Sequence, residues 1–104
     1  MKLVIIESPY AGDVEANTEY ARRCLYDSLQ RGEAPFASHL LYTQVLFDAK
    51  PEERRLGMDA GFAWAAMADI CAVYTDLGIT PGMHKGIASA KKYNILVECR
   101  RING

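Results

Sequence analysis

The side chains of this sequence best able to serve a ligand are two histidines, a few acids and several tyrosines, and most fall beside loops rich in glycine and proline. His39 and Tyr42 follow a short apolar stretch, whereas Asp76 and His84 belong to the polar segment 75–84. A neutral imidazole can donate a hydrogen bond, and a tyrosine ring can stack on a heterocycle. These residues favour a site for a planar polar ligand. The alternative is that each is an ordinary packed or solvated side chain.

The spacing of these residues matches no common catalytic or metal-binding motif. The chain has no Ser-His-Asp order, no P-loop and no HExxH sequence. Its three cysteines, Cys24, Cys71 and Cys99, include no CxxC pair, so we expect reduced buried thiols rather than a zinc site or disulfides. We therefore predict no metal and no cofactor.

Apolar runs and helical patterns alternate along the chain. The strands and helices that they predict determine where the candidate ligand-binding side chains lie. Strands are predicted at residues 3–6, 34–37 and 70–74 and from Ile95, with helices starting after Asp13, at Pro51 and at Pro81. The order β-α-β-α-β-α-β demands parallel strands with right-handed crossovers. The pattern predicts an α/β domain, a small doubly wound (flavodoxin- or Rossmann-like) parallel sheet of four to five strands with helices on both faces.

Helical spacing also indicates which side of each helix faces the core, and the segment 38–50 is expected to be a loop with some local structure. The predicted buried face of the second helix consists of Leu56, Ala60, Ala63 and Met67. That of the third consists of Met83, Ile87 and Ala90.

Ligands of such sheets bind beyond the carboxyl ends of the strands, where segments 8–13, 38–50 and 75–84 gather. Helix N-termini after Asp13 and Thr80 suit an anion, with ordinary helix capping as the alternative. Of Tyr10, Tyr42 and Tyr74, one is expected to touch the ligand. The predicted ligand-binding residues are Ser8, Pro9, Tyr10, Gly12, Asn17, His39, Tyr42, Asp76, Thr80, Gly82, Met83 and His84.

Composition narrows the possible partners. A chain of 104 residues suits one domain, residues 1–104, and its net charge of −1 supplies no basic field for a nucleic acid polymer. No apolar run is long enough for a membrane span, and the run before Glu7 is too short for a signal peptide. We therefore expect a cytoplasmic protein that contacts neither membrane nor nucleic acid.

Two stretches, GFAWAAMAD at residues 61–69 and GMHKG at residues 82–86, resemble the nucleoside 2-deoxyribosyltransferases and the related deoxynucleoside monophosphate N-glycosidases. Residues 8–10 and 34–43 are similar to a compact branch of that superfamily found in phages and bacteria. The resemblance covers essentially the whole chain. It implies the same fold, a nucleoside or nucleotide ligand, a homo-oligomer (a dimer or larger), and the host cytoplasm if a phage encodes the chain.

The sequence departs from these enzymes at their catalytic positions. The resemblance places their nucleophilic glutamate at His84, their assisting aspartate at Gly61 and a phosphate-binding serine at Gly78. Their chemistry needs a carboxylate near the sugar carbon. The departures favour a protein that binds a nucleoside or nucleotide without turnover and that, in a phage, would sequester a nucleotide signal.

Two alternatives stay open. The first is an N-glycosidase or deoxyribosyltransferase that acts on nucleosides or their monophosphates through other groups, such as Asp48, Asp76 or His84. The second is an oligomeric interaction module with a vestigial cleft, in which Trp64 and Met67 belong to the subunit face.

Overall fold

Four parallel strands form one sheet in the order β2-β1-β3-β4. They are β1 (Leu3–Glu7), β2 (Ala34–Phe36), β3 (Ile70–Tyr74) and β4 (Leu96–Arg100) in a computed structural model that describes residues 1–103. The chain leaves β1 toward β2 on one side, and β3 and β4 lie on the other side. The predicted doubly wound α/β fold is therefore confirmed, with a switch point between β1 and β3.

Three helices start where the sequence predicts, and a short fourth one forms in the segment that was expected to be a loop with some local structure. They are α1 (Val14–Gln30), α2 (Ser38–Leu41), α3 (Pro51–Ala65) and α4 (Pro81–Lys92), and a 3₁₀ turn, Tyr42–Gln44, follows α2. The Asp13 carboxylate accepts a hydrogen bond from Ala16 N at 3.2 Å, and Thr80 Oγ1 accepts one from Met83 N at 3.2 Å. Both predicted N-caps are thus confirmed. None of the helices within residues 1–103 is long and apolar enough to cross a membrane.

The sheet is covered on both faces, so successive residues of a strand enter different cores. Val4 and Ile6 of β1 pack with Tyr20 and Cys24 of α1. Ile5 packs on the opposite face with residues of and just after α3. By this alternation Glu7, the last residue of β1, projects to the side of α3 and α4.

The core on the α4 side contains the residues that helical spacing predicts. Met83 and Ala90 are fully buried against Cys71 and Val73 of β3, and Ile87 packs at the edge of this cluster. This face of α4 is therefore confirmed.

The predicted face of α3 is wrong. Leu56 and Met67 are 59% and 74% exposed, whereas the buried residues of the helix are Gly61 and Ala65. The reason is close packing against α2, since a Cβ atom on Gly61 would lie 2.7 Å from Ser38 Oγ. The helix turns Gly61 and Ala65 inward, and Leu56 lies on its exposed side. Its exposed Trp64 stacks on Phe36 with ring centroids 5.6 Å apart.

A buried ion pair ties β4 to the segment before β2. The Arg100 guanidinium donates to both carboxylate oxygens of Glu33, at 2.7 and 2.8 Å, and its side chain is 2% exposed. The same guanidinium donates to the Tyr74 hydroxyl, which in turn donates to Asp27 of α1 at 2.7 Å. Tyr74 therefore serves the core under α1 and does not face the predicted ligand site.

The cysteines follow their prediction in part. Cys24 and Cys71 are buried free thiols, but Cys99 on the edge strand β4 is a free thiol exposed to solvent. Burial raises the pKa of each buried thiol to about 12. Both buried thiols therefore remain protonated at neutral pH.

Candidate functional site

A cavity of about 370 Å³ opens at the carboxyl edge of the sheet. Its floor is the end of β1, and its walls come from the segment after β2, from α3 and from the first turn of α4. The predicted ligand-binding residues that line it are Ser8, Tyr10, His39, Tyr42, Thr80, Gly82 and Met83.

The segment between β2 and α3 forms one wall of this cavity. Instead of an open loop, it folds into α2 and the following 3₁₀ turn, and it contributes Ser38, Thr43, Leu46 and Asp48 in addition to the predicted His39 and Tyr42. The Thr43 hydroxyl donates to the His39 carbonyl at 2.7 Å, which fixes the turn. The wall is therefore built by local helical hydrogen bonds.

Five predicted ligand-binding residues lie outside the cavity lining: Pro9, Gly12, Asn17, Asp76 and His84. The Asn17 amide donates to the carbonyls of Tyr10 and Ala11, at 3.0 and 3.1 Å, and so holds the loop that presents Tyr10. His84 is exposed on the outer side of α4. Of the three residues suggested for the enzyme alternative, Asp48 lines the cavity, whereas Asp76 and His84 do not.

The Asp76 carboxylate is occupied by the end of the chain. It accepts hydrogen bonds from the Tyr20 hydroxyl at 2.6 Å and from the backbone N–H groups of Ile102 and Asn103 at 3.0 Å each. The hydrogen bond from Tyr20, with those from the two amides, lowers the pKa of Asp76 to about 2. Asp76 thus has a structural role, because it holds the segment after β4 in place by hydrogen bonds.

Ser8 and His39 meet on the cavity wall. The Ser8 hydroxyl and His39 Nε2 share a hydrogen bond of 2.7 Å, joining the end of β1 to α2. Burial lowers the pKa of His39 to about 4, because a charged imidazolium would be poorly solvated there. The pair is therefore uncharged at neutral pH, and it offers hydrogen-bonding groups without a charge.

Glu7 is the titratable residue on the cavity floor, and the sequence pattern did not suggest it as a site residue. Its carboxyl group lies on the cavity floor and forms no hydrogen bond or ion pair with other groups among residues 1–103. Desolvation by burial raises the pKa of Glu7 to about 8. The carboxyl group is accordingly protonated at neutral pH and able to donate a hydrogen bond.

Gly86 of α4 makes room for this carboxyl group. An alanine Cβ at position 86 would overlap the side-chain carboxyl of Glu7, whose Oε1 would be only 2.7 Å away. Gly86 is itself buried, so α4 crosses close to the end of β1 at this point. The half-buried carboxyl of Glu7 therefore occupies space that any side chain at position 86 would take.

The N-terminus of α4 and the side chain of Arg54 create a positive electrostatic potential at the mouth of the cavity. Thr80, Pro81, Gly82 and Met83 of the first turn of α4 line it, and this end of a helix favours negative charge. Arg54 of α3 also lines the mouth, with Nη2 3.9 Å from the position that a Cβ on Gly82 would take. An anionic group of a ligand would meet both at this place.

Two further acids line the cavity, and one of them already has partners. Glu53 accepts a hydrogen bond from Phe47 N at 2.8 Å and pairs with Lys50 at 3.5 Å, whereas Asp48 lies in the segment before α3. Carboxyl groups therefore line this cavity, although not at the positions where the resemblance places the catalytic acids of the enzymes. His84 and Gly61 do lack carboxyls, but Glu7 supplies one from another element.

Comparison with known proteins agrees with the fold. The structure is similar to a 2-deoxyribosyltransferase from Bacillus psychrosaccharolyticus with a TM-score of 0.68 and 15% sequence identity, over 95% of this chain and 72% of that chain. This likeness confirms a deoxyribosyltransferase-like fold. No curated protein matches the sequence. A family model described as a domain of unknown function, DUF7768, matches residues 2–100, and the chain belongs to that family.

Proposed function

We propose that this protein binds a nucleoside or nucleotide in the cavity at the carboxyl edge of its sheet. The cavity itself carries the proposal, because its volume of about 370 Å³ suits a small heterocyclic ligand. The structural relative is a deoxyribosyltransferase described as a biocatalyst for nucleoside synthesis, which supports the same ligand class.

The distribution of groups in the cavity fits the parts of such a ligand. Tyr10, Tyr42 and Phe62 offer aromatic faces for a base. The neutral Ser8–His39 pair and Glu7 offer hydrogen bonds near the floor. A phosphate, where the ligand has one, would lie at the mouth beside Arg54 and the start of α4. A sugar would then span the middle of the cavity.

The proposal predicts that a nucleoside or nucleotide raises the melting temperature, since a ligand of the folded state stabilises it. The screen comprises nucleosides, their 5′-monophosphates, and NAD-derived and cyclic nucleotides. Replacing Tyr42 with alanine should weaken binding of the hit about 10-fold, because stacking of a base on an aromatic ring is worth roughly 1–3 kcal/mol. Calorimetric titration of wild type and variant measures the ratio.

Tyr93→Ala is the matched control. Tyr93 follows α4, is 49% exposed and lies outside the cavity lining. Its removal should leave affinity unchanged. A screen without a hit would refute the proposal, and equal weakening by the Tyr42 and Tyr93 substitutions would place the ligand elsewhere.

The carboxyl of Glu7 on the cavity floor favours a second candidate function, cleavage of the N-glycosidic bond of the bound ligand. Such cleavage needs a group that can give or take a proton at the bond. Analysis of the ligand recovered after incubation separates the two functions. Intact ligand supports binding alone, and free base with free sugar supports cleavage.

A further inference from the structure

Three observations single out Glu7 among the carboxyl groups of this protein. It lines the cavity floor, it lies on the face of the sheet that α3 and α4 cover, where Gly86 of α4 leaves space for it, and its carboxyl has no partner within the described chain. Glu7 is half-buried, and neither of its carboxyl oxygens is a fully buried atom without a partner, so the group is open to the cavity. A carboxyl held in this way is available to a ligand, whereas a purely structural carboxyl would be paired.

The other acids near the site are paired with other groups or belong to a different wall of the cavity. Glu53 is paired with Lys50 and with the backbone of Phe47. Asp76 is taken up by Tyr20 and the segment after β4. Asp48 lies in the segment before α3, on the cavity wall rather than at the end of a strand. Glu7 is the cavity carboxyl placed to donate.

We propose that Glu7 is a catalytic residue that protonates the departing base during hydrolysis of the N-glycosidic bond of a bound nucleoside or nucleoside monophosphate. This inference rests on the proposed function, namely that the cavity binds such a ligand. It assigns the acid to β1, whereas the resemblance placed the reacting carboxylate of the enzymes on the helix that is α4 here, at the position of His84.

The step uses water as its only co-reactant. The bond between C1′ and the base nitrogen breaks, and its electron pair leaves with the base. The proton on the Glu7 carboxyl passes to a nitrogen of the base, which leaves neutral. Water oxygen then bonds to C1′, and the proton that it releases returns to the Glu7 carboxylate. The products are free base and free sugar, and the acid is restored.

The surroundings of Glu7 favour a carboxyl group that still holds its proton at neutral pH. Desolvation raises its pKa to about 8, close to the working pH of a general acid. The titratable groups around it are Cys71 of β3, the neutral His39 of α2, Tyr10, Tyr42, and Asp48, Glu53 and Arg54 at the wall and mouth. Base release should therefore fall as pH rises through about 8, where Glu7 loses its proton.

The test compares wild type, Glu7→Gln and Glu19→Gln. Glutamine keeps the shape of the side chain but cannot release a proton to the base. Glu19 is an exposed residue of α1, so the same substitution there is the matched control. Each protein is incubated with deoxyadenosine 5′-monophosphate and with the hit of the binding screen, and free base is measured by chromatography. Affinity is measured by calorimetry on the same samples.

The pH dependence of the melting temperature shows whether the Glu7→Gln variant folds. Glu7 holds its proton in the folded state up to about pH 8, whereas an unfolded glutamate releases it near pH 4.3. Folding then takes up a proton between these values, so wild-type stability falls as pH rises across that window. Glu7→Gln should remove this loss and melt higher than wild type at pH 8, with little difference at pH 4.

The expected result is that wild type and Glu19→Gln release base, whereas Glu7→Gln binds the ligand with a Kd within a few-fold of wild type and releases base at least 100-fold more slowly. Equal rates in Glu7→Gln and wild type would overturn the role of Glu7. Binding by wild type without base release would also overturn it and leave the proposed binding function intact. Absence of binding would refute both.

Discussion

Replacing Gly86 with alanine is expected to slow base release about 100-fold while the protein stays folded. The new Cβ atom would overlap the Glu7 carboxyl group, which is the free end of a flexible side chain and must swing away. Displacement of a reacting group by about 1 Å costs on the order of 100-fold in rate. Alanine is favoured over glycine inside a helix by roughly 0.5–1 kcal/mol, which offsets part of the local crowding.

The Gly86→Ala prediction has a readout that does not depend on turnover. Once the carboxyl swings toward solvent, the pKa of Glu7 should move down from about 8 toward its ordinary value, as followed by NMR of the side-chain carboxyl carbon. The double variant with Glu7→Gln should release base no more slowly than Glu7→Gln alone, since both changes act on one group. An unshifted pKa together with a wild-type rate would show that Gly86 does not position Glu7.

Replacing Arg100 with alanine is expected to destabilise the protein by about 3–5 kcal/mol. The guanidinium is 2% exposed and makes two hydrogen bonds to Glu33, whose carboxylate would be left without its main partner. The guanidinium, with burial opposing it, also holds the pKa of Glu33 below its usual range. Since domains of this size are stable by only about 5–15 kcal/mol, the variant would lose much of its stability. Urea denaturation followed by circular dichroism measures the difference.

Arg101→Ala is the control for that experiment. Arg101 is the neighbouring arginine, 62% exposed, and its nitrogen lies 3.7 Å from an Asp76 oxygen. An exposed ion pair contributes about 0–1 kcal/mol, so the control should be close to wild type. Similar losses in the two variants would mean that the buried network is not the source of the effect.

Much of the fold follows from local features of the sequence. The helix starts are strongly indicated by two N-caps, Asp13 and Thr80, and by Pro81 at the first helical position. Capping and the fixed proline φ angle act within a few residues, so the local sequence is enough to predict them. The apolar run before Glu7 predicts a strand covered on both faces for the same local reason. The inner face of α3 could not be predicted in this way. Its glycine and alanine residues are buried because α2 lies close to them, and hydrophobicity alone favours Leu56 and Met67.

The candidate site was predicted in part. Its place followed from parallel connectivity, and residues such as Ser8, His39 and Gly82 line the cavity as expected. The position of Asp76 after a strand predicts a ligand-binding acid. Its carboxylate instead binds the backbone of Ile102 and Asn103, which are distant in sequence. Glu7 was read only as the end of an apolar run. The signal for Glu7 is its position. It is an acid at the end of a central parallel strand, directly before the predicted ligand-binding residue Ser8.

The central claim is that the cavity at the carboxyl edge of the sheet holds a nucleoside or nucleotide. Its most direct test is ¹H–¹⁵N chemical-shift mapping during titration with the best nucleotide of the binding screen. We predict that the largest shifts occur at Ser8, Tyr10, His39, Tyr42 and Gly82, which surround the cavity. Shifts confined to the outer edge of β4 or to the exposed side of α1 would contradict the claim.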